Sequence, residues 1–155
     1  MSKILITGGS GLVGSHLSRK LKDKGYNVAL LSRTPDQNSV IPSYIWDPEK
    51  EKIDLNVFND TDFIIHLAGA GIGDKRWTVR RRKEIIDSRV KTADLIYRSA
   101  RETGTKIKTF ITASGTGYYG TLTSDRIFTE SDPPGKDFLG EVCRLWENEA
   151  DKFSE

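Results

Sequence analysis

"LITGGSGLVGSHL", residues 5–17, places four glycines within seven positions, straight after one apolar run and straight before another. Gly9, Gly11 and Gly14 spell G-x-G-x-x-G, whereas Gly8, Gly11 and Gly14 spell G-x-x-G-x-x-G. Both readings share Gly11 and Gly14 and differ only in which residue makes the turn. The flanks say what kind of turn it is. "KILIT", 3–7, has strand character, while Val13, Leu17 and Leu21 recur every four residues and mark one face of a helix. Gly25 supplies a left-handed cap after Lys24, and "YNVALLS", 26–32, follows as a second strand.

A glycine turn between a strand and a helix suits a pyrophosphate. The first N–H groups of a helix lack internal partners, and the helix dipole adds partial positive charge there. Without Cβ atoms in the way, a phosphate can approach those groups closely. Gly8 (or Gly9), Gly11, Leu12, Val13 and Gly14 therefore form the expected cofactor cradle. Lys-Ser/Thr does not follow the glycines, so the stretch is not a mononucleotide P-loop.

About twenty residues past such a cradle, an NAD site presents an acidic residue to the ribose 2′-hydroxyl. Here Ser32 and Arg33 stand at that point. A carboxylate about 4 Å from a 2′-phosphate would cost roughly 4 kcal/mol per charge pair at intermediate dielectric. Arginine reverses the sign and can bond phosphate through two parallel N–H groups. The expected cofactor is NADP, ahead of NAD.

Further along, turn residues fill 33–43, "YIWDP" (44–48) reads as a short strand, and "DFIIHLAG" (62–69) as a buried one. A long helix begins at Thr78 with Ile86, Val90, Ala93, Tyr97 and Ala100 on its apolar stripe, and Gly104 closes it. "KTFITAS" (108–114) is another strand, and Phe138, Val142, Leu145 and Glu149 open a last helical repeat. Strands alternating with helices predict an α/β domain over 1–155 with a Rossmann-type doubly wound parallel sheet. The pattern resembles the first part of such a sheet, without the C-terminal strands and the substrate-binding part. An open last strand would be an exposed sheet edge through which a homo-oligomer could pair.

Composition narrows the field. A net charge of +2 over 155 residues does not mark a nucleic-acid binder. Although "RWTVRRRK" (76–83) is basic with an interleaved aromatic, nucleic acid is not the expected partner. One cysteine, Cys143, excludes an internal disulfide and fits a reducing compartment. His16, His66 and Cys143 give no metal-ligand spacing. Neither a membrane-length apolar run nor a leader is read, so the expected location is cytoplasmic.

"HLAGAGIGDKRWTVRRRKEIIDSRVKTADLI", 66–96, carries a more specific resemblance. Leu67–Gly69, Arg76–Thr78 and Ser88–Val90 resemble the epimerase-like branch of the short-chain dehydrogenase/reductase superfamily, often labelled nucleoside-diphosphate-sugar epimerase. The later "SGTGYYG" and "DFLGEVCRLWENEA" resemble it as well, so the likeness covers nearly all of 1–150. The resemblance favours the register Gly8, Gly11, Gly14 and implies a chain of roughly twice this length. It implies that Leu67, Ala68 and Gly69 end the fourth strand beside the adenosine and ribose, and that Glu84 and Arg89 face the cofactor. The implied substrate is a small molecule, a carbonyl compound or a nucleotide sugar.

Hydride-transfer enzymes of that superfamily use Tyr-x-x-x-Lys as their acid–base pair. None of the tyrosines, 26, 44, 97, 118 and 119, is followed four residues on by lysine, and "DFLGEVCRLWE" (137–147) contains neither residue type. The remaining catalytic candidates are Ser114, where the superfamily places a hydroxyl on the reacting carbonyl, and Tyr118 and Tyr119 in the loop above it. Two functions follow: an NADP(H)-dependent oxidoreductase or epimerase-like enzyme, or a non-catalytic NADP(H)-binding regulator or sensor.

Overall fold

The five residues of β1 (Lys3–Thr7) are all buried, as expected of a strand covered on both faces. A computed structural model describes residues 2–36, 38–121, 123 and 125–154. In chain order the elements are β1, α1 (Leu12–Asp23), β2 (Asn27–Ser32), β3 (Ser43–Asp47), β4 (Lys52–Ile53), β5 (Thr61–His66), α2 (Val79–Glu102), β6 (Thr109–Thr112) and α3 (Phe138–Asp151). Short 3₁₀ turns fill several of the connections.

These strands form one sheet in the order β4-β3-β2-β1-β5-β6. All neighbours are parallel except β3 and β4, an antiparallel pair joining Trp46 to Ile53. The chain winds outward from β1 in one direction, then returns to lay β5 on its other side. The switch point therefore lies between β1 and β5, where Thr7 is registered against His66. In such sheets ligands collect beyond the carboxyl ends of the strands at this point.

Alternation within β1 divides the core in two. Ile4 and Ile6 pack with Val28, Leu17 and Leu21 on the α1 side. Leu5 packs with Ala29, Leu31, Ile64, Leu95 and Ile96 on the α2 side. The α3 helix lies beside α2, and Phe153 just past it stacks on Phe110 of β6 with centroids 3.8 Å apart. This is the doubly wound arrangement read from the sequence.

Three details differ from the sequence reading. The strand ending before Leu67–Gly69 is the fifth, because the two-residue β4 intervenes at the far edge. The third strand is Ser43–Asp47, one residue earlier than the 44–48 read from the sequence, and among the described residues the long helices are α1, α2 and α3. The α2 stripe is also rotated. Ala93 and Ala100 are buried as expected, but Ile85, Arg89, Thr92, Leu95 and Ile96 join them, whereas Ile86, Val90 and Tyr97 are half-buried. Polar Arg89 and Thr92 turn inward because partners await them at the site, which an apolar-only pattern does not register.

Candidate functional site

Gly8 makes the turn after β1, with φ +70°. A Cβ there would meet the Leu67 carbonyl carbon at 2.8 Å and the Ala68 nitrogen at 2.9 Å, both backbone atoms of the chain leaving β5. A Cβ on Gly14 would lie 2.2 Å from the Gly8 carbonyl oxygen, so only glycine lets α1 sit so low on the turn. At Gly9 the obstacle is merely the flexible Leu30 side chain. The geometry thus selects Gly8 as the turn residue.

Gly11 is the N-cap of α1 and supplies no side-chain hydrogen bond. With no acidic residue in the first turn either, the N–H groups at this helix start are not shielded by the chain's own side chains. Leu12 and Val13 stand beside them, 80% and 64% exposed. Ser32 ends β2, and its hydroxyl donates to the Thr34 carbonyl while accepting the Thr34 N–H. Arg33 follows it, exposed.

Beneath the turn lies a hub that sequence reasoning missed. His66 is fully buried between Thr7 and Thr92. Thr92 gives its single hydroxyl proton to the helix, 2.8 Å from the Ser88 carbonyl, so His66 Nε2 carries the proton that reaches Thr92 Oγ1 at 3.1 Å. Nδ1 is then an acceptor and takes the Thr7 hydroxyl at 2.8 Å. Thr7 Oγ1 in turn accepts the Leu67 and Ala68 N–H groups, each at 3.1 Å. Every group is satisfied with the imidazole neutral. Burial, reinforced by the nearby Arg89 charge, pulls its pKa from 6.5 down to about 4.

The chain beyond β5 is held in the same manner. Ala70 N–H donates to Ser88 Oγ at 2.9 Å, and Arg89 donates to the Ala70 carbonyl at 3.1 Å. Arg81 donates to the Gly71 carbonyl, and Trp77 Nε1 to the Ile72 carbonyl at 2.7 Å. Thr78 caps α2 by accepting the Arg81 N–H. The segments Arg76–Thr78 and Ser88–Val90 thus clamp the loop that follows Leu67, Ala68 and Gly69. Arg89 is buried, stacks 4.8 Å above Trp146, and its guanidinium carbon would lie 3.1 Å from a Cβ on Gly69. Glu84, by contrast, is exposed and paired with Arg81 at 2.8 Å. Arg81 is thereby used inside the protein, and Arg82 lies over the Phe138 ring.

Ser114 sits just past β6, exposed, and donates its hydroxyl to Glu147 Oε1 on α3. Cys143, one turn before Glu147, is buried and donates weakly to the Gly115 carbonyl at 3.7 Å; burial pushes its thiol pKa up. Tyr119 packs against Phe128 and donates to the Thr129 carbonyl at 3.1 Å, while Tyr118 meets the Tyr119 ring edge-on. The structure therefore brings Ser114 together with Cys143 and Glu147, and ties Tyr119 into the following loop. Glu147 was not anticipated, although its place four residues after Cys143 repeats the spacing within Tyr-x-x-x-Lys.

Among the described residues no group of His, Cys, Asp or Glu could hold a metal ion, and no helix is long and apolar enough to cross a membrane. A depression of about 1100 Å³ lies at the opposite end of the sheet among Asn27, Asn59, Asp60 and Thr105. It is far from the glycine turn, at the amino ends of the strands.

Comparison with known proteins agrees with this architecture. The chain is 33% identical over 144 residues to the epimerase family protein ML0860 of Mycobacterium leprae, covering 93% of this chain and 45% of that protein. It is thus less than half the length of that relative. The crystal structure of the nucleoside-diphosphate sugar epimerase from Corynebacterium glutamicum superposes on 99% of this chain and 31% of its own with a TM-score of 0.79 at 31% identity. Human epimerase family protein SDR39U1 (isoform 2), solved with NADPH, covers 96% of this chain and 48% of its own with a TM-score of 0.77 at 26% identity. A family model matches residues 4–138. With a doubly wound sheet, a glycine turn at its switch point and that match over most of its length, the chain belongs to the NAD dependent epimerase/dehydratase family.

Proposed function

We propose that this chain holds NADP(H) at the carboxyl edge of its sheet and serves an oxidoreductase or epimerase-like reaction on a small carbonyl compound or nucleotide sugar. The carrying observation is the N-terminus of α1, capped by no side chain and opening at the switch point between β1 and β5. Gly8, Gly11, Leu12, Val13 and Gly14 would hold the pyrophosphate there. Leu67, Ala68 and Gly69 would line the adenosine side, with Arg89 acting through the loop it clamps. Ser32 and Arg33 would receive the 2′-phosphate, Arg33 being exposed directly past β2. The NADPH bound to the human relative is in keeping with this choice. When bound, the nicotinamide supplies hydride transfer; the chain supplies binding, orientation and proton handling around Ser114.

Titrating NADPH and NADH side by side tests the reading. NADPH is expected to bind at least about tenfold more tightly, and Arg33→Asp to abolish that preference. Equal dissociation constants, or an unchanged ratio in Arg33→Asp, would overturn it.

One observation favours a second reading, a non-catalytic NADP(H)-binding regulator: the chain has no Tyr-x-x-x-Lys. A turnover assay against a panel of carbonyl compounds and nucleotide sugars separates the two. Cofactor binding without oxidation of NADPH across the panel selects the regulator.

A further inference from the structure

We propose that Ser114 and Glu147 form a proton-accepting pair that takes a ligand hydroxyl in preference to a carbonyl, in the role that Tyr-x-x-x-Lys, not found in residues 1–155, plays elsewhere in the superfamily. The inference rests on the cofactor reading above and adds to it a direction and a ligand class.

Hydrogen-bond arithmetic carries it. Serine has one hydroxyl proton, and in this fold it is given to Glu147 Oε1. An ionised carboxylate only accepts, so it cannot give that proton back to a neighbour. The Cys143 thiol, shared with the Gly115 carbonyl, also hydrogen-bonds Ser114, so one lone pair of Ser114 Oγ is left for a ligand, and what binds it must itself donate. A carbonyl cannot; an alcohol or a sugar hydroxyl can. This reverses the role expected of Ser114 from the superfamily, in which the serine hydroxyl donates to the reacting carbonyl.

Placement supports a ligand site there. Ser114 lies past the carboxyl end of β6, on the same edge of the sheet as the glycine turn and two strand spacings, about 10 Å, from β1. It is exposed, and Glu147 is half-buried on α3, so both ends of the pair are reachable. Around them the protein is fixed. Cys143 is buried one turn earlier, and Arg89, also buried, stacks on Trp146 of the same helix with its Nε unpartnered.

In the step implied, the ligand O–H bond breaks and its proton passes to Ser114 Oγ as the serine proton passes to Glu147 Oε1. The carboxylate becomes a carboxylic acid, and the ligand C–O bond becomes C=O as its carbon gives up hydride. An oxidised nicotinamide held at the Gly8–Gly14 turn would be the co-reactant that takes that hydride. Glu147, being half-buried, then returns its proton to water. Ser114 is the catalytic residue of the pair, and Glu147 is a positioning residue acting through it.

The test reads binding as well as activity, in the full natural polypeptide that carries these residues. Cyclohexanol and cyclohexanone, nearly equal in shape, are titrated with and without NADPH and followed by protein-observed NMR. The wild-type protein is expected to favour the alcohol by about tenfold. In Glu147→Gln the amide can donate to Ser114, freeing its hydroxyl, and the ratio should fall toward one with NADPH affinity within twofold of wild type. Ser114→Ala should weaken the alcohol alone. Equal binding in wild type, an unchanged ratio in Glu147→Gln, or no binding of either probe would overturn the pair. A failure to bind NADPH would sink the cofactor reading, whereas the ratio measured without NADPH still judges the pair.

Discussion

The α1 and α3 helices begin with the same packing device and put it to opposite uses. In α1, a Cβ on Gly14 would lie 2.2 Å from the Gly8 carbonyl; in α3, a Cβ on Gly140 would lie 2.2 Å from the Gly135 carbonyl. Each helix is thus seated on a glycine backbone upstream of it. They differ at the cap. The cap of α1 is Gly11, which offers no side chain. The cap of α3 is Asp137, which accepts the Gly140 N–H at 3.0 Å and also the Thr121 N–H and hydroxyl at 2.7 and 2.8 Å. One helix start has no side-chain acceptor at its cap, and the other carries its own carboxylate. On the proposed reading, a close glycine seat alone does not make a phosphate site, and the cap without a side chain is what distinguishes α1.

Substituting both seats tests that equivalence and carries the largest expected effect. Gly14→Ala and Gly140→Ala should each destabilise the fold by about 3 kcal/mol, since the obstructing atoms are backbone and cannot rotate away. For a chain of this size that is a fall of about 10 °C in Tm, read by thermal unfolding. Gly14→Ala should also displace the N–H groups of α1 and weaken NADPH binding. A harmless Gly140→Ala would break the parallel.

These two regions were not equally legible in the sequence. The α1 seat lies within seven contiguous residues between a strand and a helix, so its spacing alone pointed to the geometry. The α3 seat uses Gly135 and Gly140 with Gly120, whose Cα lies 2.6 Å from where a Cβ on Gly135 would stand. Those residues are spread over a connection between β6 and α3 whose described residues form no regular strand or long helix. Only the folded path brings them together. The buried polar groups were hidden for a related reason. His66 and Thr92 lie on different elements, and neither residue type marks an apolar face. The segments Arg76–Thr78 and Ser88–Val90 were recognisable as a resemblance, but their physical role, clamping the loop after β5, needed the hydrogen bonds.

Acid should separate the two regions. Gly8 packs on Leu67 and Ala68, whose N–H groups are held by Thr7 and, through it, by neutral His66. The unfolded chain takes up the histidine proton near pH 6.5, the folded chain only near 4. The stability held by neutral His66 is therefore complete above pH 6.5 and is lost as the pH falls toward 4, amounting to about 3 kcal/mol. Urea denaturation at pH 7.5 and 4.5 measures it. His66→Gln should be less stable at neutral pH, yet lose less on acidification than wild type. An equal acid loss in the two proteins would place the sensitivity elsewhere.

The α3 cap supplies the smallest effect and the sharper contrast. The Gly140 and Thr121 donors hold the Asp137 carboxyl below the usual carboxylate range. Its contribution is thus present above the ordinary aspartate pKa and lost only as the pH falls through the depressed one. It should survive at a pH where the His66 contribution is already fading. Asp137→Ala should lower Tm by about 3 °C at neutral pH, and Asp137→Asn, which keeps an acceptor oxygen for Gly140, by less. In Asp137→Ala the α3 start acquires the empty cap of α1 while keeping its glycine seat. Inorganic phosphate should then raise the Tm of Asp137→Ala more than that of wild type, with salt-matched chloride as the reference. If phosphate stabilises the two alike, the empty cap of α1 is not sufficient to explain its proposed role, and the glycine turn itself must supply the rest.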